Sequence, residues 1–586
     1  MNKTVATLIV LLLLSSVLVI NSGTVNAQDS SIIRIKEDGT ITGTDKIEQN
    51  GTVYTLTDNL RSNVGQNEAF IFIEKDNVTI NGAGYTVQGS GFGSAIYMLR
   101  CQNVTVANFT ITGFQKGIDF WLVDNWPTNA SYLNQPSAFN NQIINNRIEV
   151  SSNVINNQSN AVGWSIYLSD AVLTLISDNT FTCQDHQGGV YLGDSTRNTT
   201  LTYNNFVGCS IYSSSSKQVT AYGNAVDGKP LIYLDSKSDK VFEEAGLVYL
   251  FNCSNIVVKN VNPLYDYAVT IQLVNTTTSD ISNSRGHVIL VNSTQNSFHD
   301  NLLSSVEFDA SSYNRVFANK ITYFSICIKM YGNSSFNEIY SNLLLDTIYS
   351  TDAERVHNSG FNTAAIQLGD TELGGTFNNN IHDNTIINHD CALEFFLSSN
   401  NTITANVIQN CKAGLQLGKS FFNNFTENNV SSCKYAVSLY AGSSNNTFYY
   451  NNFISNQVHV FETHQQTLLS ASESYSVGNT WDNGQTGNYW DTYTGVDENG
   501  DGIGDTAYEV FEYMVDNYPL MEPLEITSSH ANVTIPAFDP TSVNPTPEPS
   551  DQLPLNMETI TIIIVVGIII GVIGGLLVYF RRLIFR

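Results

Sequence analysis

The chain has 586 residues, 53 of them acidic and 26 basic, for a formal net charge of −27. Phosphate binding needs a basic face, so this balance excludes a nucleic-acid partner. Charged residues make up only 13% of the chain while Asn, Ser and Thr abound, a composition that disfavours long helices and suits strands joined by tight turns.

Residues 1–27 have the pattern of a signal peptide: Lys3, then apolar runs at 6–14 and 17–20, then Val25-Asn26-Ala27 as a cleavage site. Residues 28–67 are expected to form N-terminal strands that cap the domain, and 68–465 to form its repeats. Residues 466–525 are expected to close the other end. The segment 526–557, with Pro536, Pro540, Pro545, Pro547, Pro549 and Pro554, cannot bury a core and reads as an extended stalk. Residues 558–581 predict a transmembrane helix, because 560–580 is a run of Ile, Val, Gly and Leu long enough to span a bilayer. Arg581 and Arg582 mark the cytoplasmic side, leaving 582–586 as a short inner tail. The expected placement is a single-pass protein of the cell membrane with its N-terminal ectodomain outside. Sequons such as Asn77, Asn103, Asn108 and Asn198 agree with that side.

The repeat carries the fold. Asn-x-apolar-x-x-Asn-x-apolar recurs at Asn314, Asn337, Asn379, Asn401, Asn423 and Asn446. Within each copy the apolar residues alternate, which predicts a strand with one face inward. No helical stripe lies between copies. One copy is too short to bury a core, whereas stacked copies bury a continuous apolar column. Asn suits the turns because it tolerates left-handed backbone and its amide can bond from coil to coil. The prediction is an all-β, single-stranded right-handed parallel β-helix with terminal caps, plus one C-terminal transmembrane helix. Cys391, Cys411 and Cys433 recur at about one repeat length and read as small buried residues stacked at one corner. A disulfide between adjacent coils stays open.

Five stretches resemble the NosD-like right-handed parallel β-helix family with CASH-type repeats, in its archaeal cell-surface form. They are 53–56 (VYTL), 74–85 (EKDNVTINGAGY), 226–233 (VDGKPLIY), 487–493 (GNYWDTY) and 516–520 (DNYPL). The likeness covers about residues 31–525 and marks a fold more than an activity. It also implies copper delivery, yet copper(I) sites favour Met, Cys and His and the chain has six Met and nine scattered His.

Two places could hold chemistry. Asp497, Asn499, Asp501 and Asp505 set oxygen donors at positions 1, 3, 5 and 9 of a calcium loop, with Gly502 at position 6 and the Ile503 carbonyl at position 7. Tyr508 stands where the bidentate Glu belongs, so Glu509 or Asp516 is left to supply that carboxylate. Calcium is the expected cofactor. The second place is an insertion at 121–139 with Trp121, Asp124 and Trp126, whose rings and carboxylate suit sugar binding. A further insertion at 345–377 carries Asp352, Glu354, Arg355 and His357. No zinc-protease motif, nucleophile elbow or phosphate loop occurs. The expected role is non-catalytic: a membrane-anchored surface module that binds an extracellular or envelope polysaccharide. The alternatives are a polysaccharide lyase, hydrolase or epimerase on the same scaffold, and a copper-handling accessory.

Overall fold

The structure is a computed structural model that describes residues 32–98, 100–120, 138–150, 163–183, 188–193, 195–213, 219–263, 269–322, 325–346, 363–370, 372–463 and 476–527. These residues form strands and turns, and nearly every strand pairs in parallel with a strand one coil away. One regular coil runs through Cys391–Phe396, Thr402–Thr404 and Val407–Gln409, and the next begins at Ala413–Gly418. Register is strict: Ile403 lies opposite Phe425 and Ile408 opposite Val430. The protein is therefore a parallel β-helix with three strands per coil. Among the described residues no helix is long and apolar enough to cross a membrane. The expected signal peptide, transmembrane helix and inner tail, and nearly all of the expected stalk, lie outside the described residues.

The sequence motif covers two strands, not one. Between Thr402–Thr404 and Val407–Gln409 the chain turns through Ala405, at φ 53°. The two properties expected of the repeated Asn also fall on different residues. The left-handed positions are Asn400, Ala405, Phe422 and Glu427, each directly before a repeated Asn. The repeated Asn points inward and is buried. Asn406 Nδ2 donates to Asn428 Oδ1 at 3.0 Å and to the Ile381 carbonyl at 2.9 Å, while its own Oδ1 accepts the Asn384 amide at 3.0 Å. Each corner amide is thus tied to the coils on both sides. One such ladder runs from Asn301 to Asn488 and a second from Asn296 to Asn479. Three residues ahead of the second ladder, Ser311, Ser398 and Ser420 build a hydroxyl ladder.

Inside the coil the apolar positions form columns such as Val316, Ile339, Ile381, Ile403, Phe425 and Phe448, all 0% exposed. Each contributes about 1.5–3 kcal/mol by leaving water. A terminal coil must hide its open end. Here Trp481 stacks on Phe448 at 4.5 Å and Trp490 on Phe453 at 4.4 Å. Antiparallel pairs occur at both ends, where Ile47–Asn50 meets Val53–Leu56 and Tyr508–Phe511 meets Met514–Asp516. Another lies mid-chain, where Ala225–Val226 meets Lys229–Asp235 through a hairpin at Asp227 and Gly228.

One cysteine pair takes up the inter-coil disulfide that the sequence left open. Cys183 and Cys209 form a disulfide between adjacent coils, with Cα atoms 5.1 Å apart, because successive coils bring their Cα atoms to the separation a disulfide needs. Cys391, Cys411 and Cys433 are buried thiols. The sequon residues Asn103 and Asn108 spend Nδ2 on an outer amide ladder with Asn77 and Asn81, at 2.8 and 3.0 Å.

Candidate functional site

On a strand whose inner face is apolar, the alternate residues project outward. In the strand of each coil that corresponds to Cys391–Phe396 they form one line. Glu307 pairs with Lys329, Lys329 with Gln367, Gln367 with Glu394, and Glu394 with Gln416. At about 4.8 Å per coil this column is roughly 19 Å long. All five side chains are half-buried.

Glu394 is the centre. Gln367 Nε2 donates to its Oε2 at 3.0 Å and Gln416 Nε2 to its Oε1 at 3.4 Å. Burial raises the Glu394 carboxyl above the usual range; the Gln367 hydrogen bond opposes this and nearby Asp370 adds to it. Burial acts on Asp370 in the same sense, but the Glu372 amide and Lys329 outweigh it and hold that carboxyl low. Lys329 Nζ sits 3.0 Å from Asp370 Oδ2 and 5.1 Å from the centre of the Tyr331 ring. Burial, then Glu307, pushes the Tyr331 hydroxyl up; burial, then Glu394, does the same to Tyr440. The site therefore sets a raised carboxyl beside a depressed one, with phenols and amides around them.

A second cluster lies near Asp119, which is 4% exposed. Asp119 accepts from Ser94 Oγ at 2.8 Å and pairs with Lys116 at 2.9 Å. Lys116 covers the Tyr167 ring at 4.2 Å. Tyr167 stacks on Tyr191 and Tyr191 on Tyr212, at 4.4 and 5.0 Å. Such rings spend their faces on each other and present edges and hydroxyls outward. The same holds for His299, Phe317, Tyr340 and His382, whose centres are 4.9 Å apart. Trp121, Asp124 and Trp126 lie outside the described residues, as do Asp352, Glu354, Arg355 and His357.

The 497–505 loop folds on itself. Asp497 accepts the amides of Gly500, Asp501 and Gly502, and these bonds, Gly502 foremost, hold its carboxyl low. Asp501 accepts the Ile503 amide at 2.9 Å and Asp505 the Glu498 amide at 2.7 Å. The donors are hard oxygens and suit calcium in kind. Among the described residues no group of three or more His, Cys, Asp or Glu side chains stands arranged to hold a metal ion. Asp516 does not complete the loop. It is 0% exposed and accepts the Asn488 amide and Trp490 Nε1, both at 2.8 Å. It thereby ends the Asn ladder, and burial pushes its carboxyl up to about 6.

With the β-helix and its outer column described, the comparisons can be placed. A family model described as "Periplasmic copper-binding protein (NosD)" matches residues 361–495, less than half of the chain. No curated protein sequence matches. Among solved structures the chain is similar to the A-module of a mannuronan C-5 epimerase from Azotobacter vinelandii, at 14% identity over 60% of this chain and 90% of that one, TM-score 0.27. It is similar to a periplasmic alginate epimerase at 12% identity, over 76% and 83%, TM-score 0.21. A mannuronic acid specific polysaccharide family 6 lyase from human gut microbiota matches at 10% identity, over 66% and 81%, TM-score 0.23.

Proposed function

We propose that this is a membrane-anchored cell-surface protein whose β-helix holds a glycan chain along its outer wall, at the column from Glu307 to Gln416. The observation that carries the reading is that column. Acid, amine and amide groups follow one another along one half-buried line, with Gln367 and Gln416 both bonded to Glu394. Half-buried carboxylates and amides are hydrogen-bonding partners for sugar hydroxyls. A glycan panel against the purified full chain tests it. Replacing Glu394 by Ala should weaken binding at least about tenfold, the loss of one charged hydrogen bond. No binding to any glycan overturns the reading.

A second reading is catalytic: a lyase, hydrolase or epimerase on the same wall. Glu394 held high beside Asp370 held low favours it, because acid and base roles need carboxyls with separated affinities. Release of unsaturated or reducing-end products would select it. Copper handling draws support from the match over 361–495, and copper(I) binding by the purified chain is its test. Calcium at Asp497, Asn499, Asp501, Ile503 and Asp505 belongs to the proposal as a cap element, supported by donor spacing. Calcium should raise the melting temperature, and Asp501→Ala should abolish the rise; no effect on the intact chain would sink it.

A further inference from the structure

The corner after Asn406 and Asn428 of the Asn301–Asn488 ladder, and after Asn204 in the N-terminal half, repeats one geometry. In three coils the fifth residue past that Asn is a cysteine: Cys209 after Asn204, Cys411 after Asn406 and Cys433 after Asn428. Each follows a left-handed residue, Gly208, Asn410 or Ser432. Each sulfur lies 3.4 Å from the carbonyl oxygen two residues earlier, on Val207, Gln409 or Ser431. The three cysteines therefore occupy equivalent places on the coil. One of them, Cys209, is joined across coils to Cys183.

Cys411 and Cys433 face each other in successive coils. Lys434 N donates to the Cys411 carbonyl at 3.1 Å, which fixes the register of the two corners. Their Cα atoms are therefore about one coil, ~4.8 Å, apart, inside the range a disulfide spans. The Cys411 thiol also interacts directly with that of Cys433. The two are 0% and 1% exposed, so no solvent competes for them in the folded coil.

We infer that Cys411 and Cys433 are a second disulfide site, a staple between adjacent coils of the C-terminal half. Closure breaks two S–H bonds and forms one S–S bond. The two protons and two electrons pass to a small-molecule or enzyme disulfide, whose S–S bond breaks to give two thiols. Burial raises the Cys411 thiol well above its ordinary value, and only the thiolate attacks a disulfide. Closure therefore belongs to folding, before the corner is sealed, and the finished bond resists exchange. The staple would fix the coils that carry Glu394 and Gln416, although the inference does not rest on what that column binds.

The test is alkylation of the full chain, made in an oxidising compartment, denatured without reductant and mapped by mass spectrometry. The chain has eight cysteines and the Cys183–Cys209 bond leaves six; the second bond predicts four labelled sites and one linked peptide pair containing Cys411 and Cys433. Six labelled sites, or Cys411 joined elsewhere, overturns the inference. A variant carrying Cys183→Ser and Cys209→Ser gives a second readout. Its melting temperature should still fall a few degrees on reduction, and adding Cys411→Ser and Cys433→Ser should abolish that sensitivity. A Cys183/Cys209 variant indifferent to reductant counts against the staple.

Discussion

The two halves of the β-helix are built to different tolerances. The N-terminal half has one apolar core from Ile33 to Phe251, and the C-terminal half another from Ile232 to Met514. In the first, register partners fall at positions 105, 142, 175, 200 and 220. In the second they settle to 380, 402, 424 and 447. In the C-terminal half both Asn ladders run unbroken, even across the step from Asn337 to Asn379. In the N-terminal half one ladder survives as Asn146, Asn179, Asn204 and Asn224. The other starts at Asn141 and passes to Thr174 and Thr199, whose buried hydroxyls find no partner. Cross-links of other kinds stand in: the Cys183–Cys209 disulfide and the Tyr167–Tyr191–Tyr212 stack. Between the halves, buried Tyr249 donates to the Ile211 carbonyl and Tyr233 meets Ser213.

The largest effect should come from breaking the ladder where it is complete. Asn406→Ala removes the acceptor of the Asn384 amide and the donor to the Ile381 and Thr404 carbonyls. Each buried group left unpaired costs about 1–3 kcal/mol, so the variant should lose about 3–5 kcal/mol in urea unfolding. A loss under about 1 kcal/mol would show that the ladder is ornamental. The next effect is at the cap. The Asp516 carboxyl is raised from 3.8 to about 6, chiefly by burial, so the folded state binds the proton more tightly than the unfolded one. Its contribution is full below about pH 4 and is lost as pH rises through about 6, a change of about 3 kcal/mol. Asp516→Asn should flatten that fall when Trp fluorescence follows unfolding at pH 4 and pH 7. An unchanged slope would assign the pH dependence elsewhere.

The scaffold was legible because its rule is local. Asn406 and Ile408 declare a corner and an inward strand within three residues, and the rule repeats. The division of labour at the corner was not, since Ala405 and Glu427 show no left-handed preference and adopt it because the coil requires it. The remaining strand of each coil, such as Ala413–Gly418, lies outside the Asn motif, so the motif carried no sign of it. The outer column was illegible for a deeper reason. Glu307, Lys329, Gln367, Glu394 and Gln416 are spaced unevenly along the chain, and only register aligns them. A trace did exist: each sits between two buried apolar residues, as in Val306-Glu307-Phe308 and Leu393-Glu394-Phe395. The rings predicted for sugar stacking, Trp121 and Trp126, lie outside the described residues.

The smallest predicted effect sharpens the comparison most, because its sign should reverse. Thr199 occupies in the N-terminal half the corner that Asn401 holds in the C-terminal half. It is 0% exposed, and its Oγ1 has no hydrogen-bond partner. A buried hydroxyl without a partner keeps its desolvation cost and returns nothing. Thr199→Val keeps the shape of the side chain and removes that cost, so it should stabilise the chain by about 0.5–1 kcal/mol. Asn401→Val takes away an acceptor from the Asn379 amide and a donor to Asn423, and should destabilise by several times as much. The two variants remove a polar group from equivalent corners. If both destabilise equally, the Thr199 hydroxyl is bonded after all, and the halves differ in coil length without differing in how their corners are held.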